Sequence, residues 1–349
     1  MRHDPVGAGG PARSVGRLRA SRLLGAAAGL AVVMAAGCGG AATAGGPVSG
    51  TVTIAAIPGI DTAPLYLAQK NGYFAAEGLS HVVIKPFASE SAELTALQNG
   101  QADIAASDYG DIFSAQSQSP NLRVLADSYD AGPGVLEIIT LAHSSITSPT
   151  DLAGATIGVP NDQLVSSPGS NHAVSLETAA ATQVLTNYLG NAALSMNWEP
   201  MSQQQELAAL QHHVLPAVLV SEPYIYQAES QLGAVEVLDA YSGSTAGMPL
   251  TGYVAMNAWV THNPAAVADF QAAISKAQTQ ASMTGQVQRL LPKTTGMTAA
   301  DADLSTVGTY PTSTSVTGLE RVVRLMAGNH LVPLNHAPSV PPMIVKPGS

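Results

Sequence analysis

Cysteine is nearly absent: the 349 residues contain one, Cys38. A single thiol excludes any intramolecular disulfide, so packing alone must hold the fold. Basic side chains are scarce, 14 against 24 acidic ones, for a formal net charge of −10. That balance disfavours nucleic acid and anionic lipid surfaces as partners, since both require a basic footprint. The motifs Gly-x-Ser-x-Gly, Ser-x-x-Lys, His-Glu-x-x-His and Gly-x-x-x-x-Gly-Lys do not occur, which leaves catalysis without a recognisable constellation. His212 and His213 are adjacent. They cannot share one helical face as metal ligands and read as surface imidazoles. No metal and no cofactor is expected.

What is present begins with an apolar run, Leu23 to Ala36, behind Arg13, Arg17, Arg19 and Arg22. Its 14 residues would span about 21 Å as a helix, short of the roughly 30 Å of a bilayer core. Residues 1–37 therefore read as an export signal rather than a membrane span. Ala35-Ala36-Gly37-Cys38 resembles a bacterial lipobox, with Ala35 where Leu is commoner, which implies lipidation of Cys38 and attachment to the membrane. An ordinary secretory signal with an incidental cysteine is the alternative. Removal of residues 1–37 would leave 312 residues with nine basic and 23 acidic groups. That length suggests two lobes, and a hydrophobic content of 46% suits a packed globule. Residues 38–50 are rich in Gly and Ala and read as a flexible tether reaching about 20 Å.

Strand and helix patterns then alternate, which argues for α/β lobes with largely parallel sheets. A buried strand is expected at 51–57 and further strands at 81–87, 103–107, 124–126, 136–141, 155–160, 217–220 and 253–260, with an edge strand at 235–238. Helices are expected from Asp61 or Thr62 to Gly72, and over 91–99, 176–189, 203–211, 265–283 and 318–328. The last places Leu319, Val322, Val323 and Met326 on one face. Residues 331–349 are Pro-rich and carry no packing signal. One internal echo stands out. Glu93-Leu-Thr-Ala-Leu-Gln98 recurs as Glu206-Leu-Ala-Ala-Leu-Gln211. Each copy leads through a strand to an acidic turn, Ser107-Asp108-Tyr109 and Ser221-Glu222-Pro223-Tyr224. A chance likeness of Ala/Leu/Gln-rich helices is the competing explanation. If the echo is structural, the two turns face each other across a cleft at the carboxyl ends of strands, where α/β sheets gather ligands.

Four segments in order carry a family resemblance: Ala63-Pro64 through Gly78-Leu79, Ala96 through Ala105, Asp151 through Pro160, and Ser221-Glu222-Pro223-Tyr224. With them the chain resembles the ABC-transporter substrate-binding lipoproteins of the SsuA/THI5-like (NMT1-like) branch. The resemblance implies a type II periplasmic-binding-protein fold, two α/β lobes joined by a two-strand hinge with the cleft between them. It also implies a small-molecule solute and an ABC permease as partners. Lobe 1 is expected over 51–142 and 248–330, lobe 2 over 143–247, and the hinge near 141–147 and 241–252. The chain departs from the family pattern at His213 and Pro216, where the second lobe would repeat a Gly and an Asp. It departs again at Ala155 in place of a lysine, and in the long polar loop 161–175.

Candidate ligand contacts follow from the strand ends. Gly59, Asp61 and Thr62 form the first loop, where Asp61 could equally be a helix cap. Asp108 and Tyr109 form the second, where Asp108 could again be a cap. Tyr129 and Asp130 would line the hinge side or form a solvated turn. Glu222 and Tyr224 form the last turn, and Glu222 has a surface salt bridge as its alternative. None of these loops carries Lys or Arg. The balance favours a ligand bearing an amine or a nitrogen heterocycle over a sulfonate. An exported enzyme on the same fold, or a protein-binding lipoprotein with a filled pocket, are the other classes left open.

Overall fold

The computed structural model describes residues 50–160, 165–166 and 173–348. The signal, Cys38, the tether up to residue 49 and most of the loop 161–175 lie outside the described residues. Twelve strands are described: β1 (Val52–Ala56), β2 (Val82–Pro86), β3 (Ile104–Asp108), β4 (Leu122–Asp130), β5 (Leu136–Leu141), β6 (Thr156–Pro160), β7 (Val165–Ser166), β8 (Ala173–Val174), β9 (Asn197–Met201), β10 (Ala217–Ser221), β11 (Ala234–Asp239) and β12 (Pro249–Met256). Ten of them form two mixed five-stranded sheets, ordered β2-β1-β3-β12-β4 and β11-β5-β10-β6-β9. The first is parallel from β2 to β3, and β12 runs antiparallel between β3 and β4. In the second, β10, β6 and β9 run parallel, and β5 runs antiparallel to both its neighbours, β10 and β11. Strands such as β3, buried at every residue, are covered on both faces, as parallel strands require.

The chain passes between the sheets through residues 131–135 and 240–248. The two passages are tied together where the Ala131 N–H donates to the Met248 carbonyl at 2.8 Å. The first passage precedes the expected boundary at 142–143. β5 pairs with β10 and β11, so it belongs to the second sheet. An apolar strand next to a boundary carries no mark in its own residues of which neighbour it will join. A third link, residues 305–315, follows helix Ala299–Leu304, which packs against helix Tyr224–Leu232 of the second sheet's layer. This link returns to β4, where Asp130 and Thr309 exchange backbone hydrogen bonds at 2.9 and 3.0 Å.

The echoed unit is reproduced in three dimensions with a constant offset. Helices Glu90–Gln98 and Gln203–Gln211 are capped by Ser89 and Ser202, each accepting a backbone N–H in the first turn. Each helix ends in a left-handed residue, Gly100 at φ 69° and His213 at φ 56°. Each then feeds the middle strand of its sheet, β3 or β10. Glu93 and Glu206 are fully buried at matching positions.

Two other expectations give way. The strand proposed over 253–260 ends at Met256, opposite Leu122, the first residue of β4. Helix Asn257–His262 follows. The Pro-rich end is packed: Val340, Met343 and Val345 are buried, and the Val345 N–H donates to the Val124 carbonyl at 2.9 Å. β4 is an edge strand with free backbone groups on its outer side, which this segment covers. Helix Val316–Gly328 buries Leu319, Val322, Val323 and Met326, the apolar face read from its sequence.

Candidate functional site

A cavity of about 500 Å³ opens where the carboxyl ends of β1, β3, β6 and β10 meet the passages between the sheets. Gly59, Asp61, Asp108, Tyr129, Glu222 and Tyr224 line it, six of the nine residues expected from sequence. Val135, Leu136 and Leu250 supply apolar wall.

The first loop is shaped by Thr62, which does not reach the cavity. Its hydroxyl donates to the Ile57 carbonyl at 2.7 Å and accepts the Gly59 N–H at 3.0 Å, closing the turn after β1. Neither Thr62 nor Asp61 caps the helix Ala63–Lys70 through its side chain. Asp61 instead reaches across to β12, accepting the Thr251 hydroxyl at 3.1 Å, while its carbonyl accepts the Ser128 hydroxyl at 2.6 Å. Burial raises its carboxyl above the ordinary range, against the Thr251 hydroxyl and the backbone N–H groups of Asp61 and Thr62.

Asp108 is both cap and wall: it accepts the Gly110 N–H at the start of helix Tyr109–Gln118 and borders the cavity. Tyr109 beside it belongs to the core. Its side chain is fully buried, its ring stacks on Phe113 at 5.5 Å, and its hydroxyl donates to Asp127. A residue opening a helix at the end of an inner strand turns under the sheet, and the space above Gly252 receives the ring. Burial pushes Asp127 up to about 6 despite the bonds from Tyr109 and the Ser315 N–H.

Tyr129 lines the wall with its hydroxyl accepting the Gly308 N–H at 2.6 Å, and it tilts against Tyr310 at 5.3 Å. Asp130 lies outside the cavity, because its backbone is committed to Thr309 and strand alternation turns its side chain away from the face that Tyr129 occupies. Burial first, then Asp127, push it up to about 7, with Arg321 opposing. Glu222 faces the cavity with both oxygens engaged, accepting the Thr306 N–H at 2.8 Å and the Tyr226 N–H at 3.2 Å. It is a wall group that also holds the third link, rather than a surface ion-pair partner.

The sequence reading missed Glu90, Glu177, Gln203 and Tyr241, all of which line the cavity. Glu90 and Glu177 sit in the first turns of helices capped by Ser89 and Ser175. Extending the echo one residue past each capping serine would have paired Glu90 with Gln203. Burial raises Glu90 well above the ordinary range, and the nearby carboxylates of Asp108, Asp111, Glu177 and Asp61 add to it. Burial, then Glu177 and Asp111, do the same to Asp108. Five carboxyl groups thus face one cavity: Asp61, Glu90, Asp108, Glu177 and Glu222. Among the described residues no Lys, Arg or His lines it. Among the described residues no cluster of three or more His, Cys, Asp or Glu has the arrangement of a metal site.

The family model described as NMT1/THI5 like matches residues 60–284. Among solved structures, the periplasmic aliphatic sulphonate binding protein SsuA from Escherichia coli is similar at TM-score 0.66 and 19% identity, over 86% of this chain and 93% of that one. The periplasmic nitrate-binding protein NrtA from Synechocystis PCC 6803 is similar at TM-score 0.55 and 18% identity, over 73% and 69%. The desulfurization enzyme DSZB is similar at TM-score 0.57 and 14% identity, over 80% and 93%. These likenesses establish the two-lobed periplasmic-binding-protein fold. No curated protein matches the chain in sequence.

Proposed function

The chain belongs to the NMT1/THI5-like family, and from that membership we propose that it is the extracytoplasmic solute-binding component of an ABC importer. A lipid on Cys38 holds it to the membrane, and it captures its solute without transforming it. The solute is a small organic cation, an amine or a protonated nitrogen heterocycle. The two sulphonate- and nitrate-named relatives lend support for the binding role and none for the ligand.

One observation carries the ligand class: five carboxyl groups and, among the described residues, no basic side chain around one cavity. Carboxylates crowded in a poorly hydrated space raise one another's affinity for protons. A cationic ligand relieves that crowding, whereas a sulfonate adds a like charge with only helix N-termini to offset it. Tyr129, Tyr224 and Tyr241 provide ring faces and hydroxyls beside the acids, suited to a cation with an apolar body. Closure follows by rotation of one sheet layer against the other about residues 131–135 and 240–248. A micromolar affinity, about −8 kcal/mol, is sufficient for such a carrier.

Calorimetry with a panel of small amines, nitrogen heterocycles and alkanesulfonates tests the reading, with native mass spectrometry identifying any ligand that co-purifies. We expect a cation as the tight ligand, recovered unchanged. A sulfonate binding more tightly would overturn the ligand class, and chemical conversion of the bound molecule would overturn the binding role. The anchor is tested by Cys38→Ser, which should move the protein from the membrane fraction to the soluble one.

A further inference from the structure

A second cavity, of about 470 Å³, lies in the other lobe at the pole away from the cleft, beside the amino end of β10. Leu141, Leu210, Leu215 and Leu232 form its floor, and His143 and His213 border it. Its size falls within the range of about 300–1,000 Å³ typical of small-molecule pockets. Among the described residues no carboxylate lines it, in a chain whose acids outnumber its basic groups by 24 to 14.

The internal repeat makes His213 conspicuous. In the first lobe, the Gly100 N–H donates to the Leu97 carbonyl at 3.1 Å, and the Gln101 N–H to the Ala96 carbonyl at 2.8 Å. In the second, the His213 N–H donates to Leu210 at 3.1 Å, and the Val214 N–H to Ala209 at 2.8 Å. The two turns are the same turn. Gly100 takes its left-handed backbone at φ 69°, and His213 takes φ 56° with a β-carbon in place. Such backbone disfavours any residue with a β-carbon and suits glycine. A glycine would complete the turn equally well, so the turn does not explain the imidazole; the pocket it borders does. Pro216 stands where the first lobe has Asp103, whose carboxylate accepts the Thr53 N–H at 2.8 Å. The second lobe therefore also lacks the acid that would otherwise stand beside this pocket, and the Pro216 carbonyl instead accepts the Thr140 hydroxyl at 2.7 Å.

We propose that this polar-end pocket is a second binding site, for a small apolar molecule carrying one carboxylate, with its chain on the leucine floor and its carboxylate held by His143 and His213. It is distinct from the acid-lined cleft in place and in charge preference, and it does not depend on what the cleft binds.

Sodium octanoate is the probe. Calorimetry follows its binding, and the ring C–H resonances of the histidines report where it binds. We expect one equivalent to bind with the signals of His143 and His213 shifting together, and octylamine, with the same chain and the opposite charge, to bind at least ten-fold more weakly. His213→Gly should fold with an unchanged or higher melting temperature, since glycine suits the backbone, and should bind octanoate at least five-fold more weakly. His143→Gln is the second variant, with the same loss expected. Failure of millimolar octanoate to move either histidine, equal binding of octylamine, or His213→Gly binding as tightly as the parent chain would each overturn the proposal.

Discussion

Glu93 offers a quantitative test of how the first lobe is held under the cleft. Its carboxyl is fully buried in helix Glu90–Gln98. Burial first, and the Asp61 carboxylate second, push it up to about 9 from an ordinary 4.5. The folded state therefore holds this proton where the unfolded chain has released it. An acid whose folded pKa is raised contributes stability that is full below the unfolded value and lost as pH rises through the folded one. Between pH 7 and pH 9 the group moves from almost wholly protonated to half ionised in the fold, at about 1.36 kcal/mol per pH unit. The loss over that interval is about 2 kcal/mol. Glu93→Gln keeps the shape and removes the proton, so its stability relative to the parent should improve by about 2 kcal/mol from pH 7 to pH 9. Urea denaturation of both proteins at the two pH values measures it. Comparing them cancels the contributions of Asp130 and Glu137, which titrate near 7 and 8 in the fold. A difference that stays flat within about 0.5 kcal/mol would refute a protonated Glu93 and the burial that raises it.

Gly252→Ala should destabilise by about 2 kcal/mol through overpacking, because the added methyl would meet the buried Tyr109 ring directly; a melting temperature unchanged from the parent would show that the ring can move. Glu222→Ala should leave the protein folded, weaken the cleft ligand several-fold and accelerate hydrogen exchange at the Thr306 amide, whose acceptor it removes. Unchanged affinity with faster exchange would make Glu222 a clamp for the third link and no part of the ligand's surroundings.

The β-branched runs and the Gly and Pro punctuation around them made the individual strands and long helices legible, because local burial on both faces leaves a local mark. Which sheet a strand joins left no such mark. β5 is as apolar as β4, and only its pairing with β10 and β11 assigns it to the second sheet. The docked end was illegible for a related reason. Val340 and Met343 are separated by two prolines, and Met343 and Val345 alternate over only three residues, too short a run to read as a strand, yet an open edge of β4 can accept them.

The site divides along the same line. Loops after inner strands point into the cleft by topology alone, so Asp61, Asp108 and Glu222 could be read from their positions. Tyr109 and Thr62 stand beside Asp108 and Asp61 in sequence, and Asp130 beside Tyr129, but all three point elsewhere, since a helix start, a closed turn and strand alternation each redirect a neighbouring side chain. Glu90 and Glu177 were hidden by a dual meaning. An acid in the first turn of a serine-capped helix complements the helix dipole, and that local explanation appears complete. The repeat breaks the ambiguity: Gln203 holds the place of Glu90 in the second lobe, and both face the same space. A residue whose position is used by both copies of a duplicated unit, at the one surface where the copies meet, is there for what lies between them. The dipole accounts for an acid at Glu90 but not for the neutral Gln203 at the matching place.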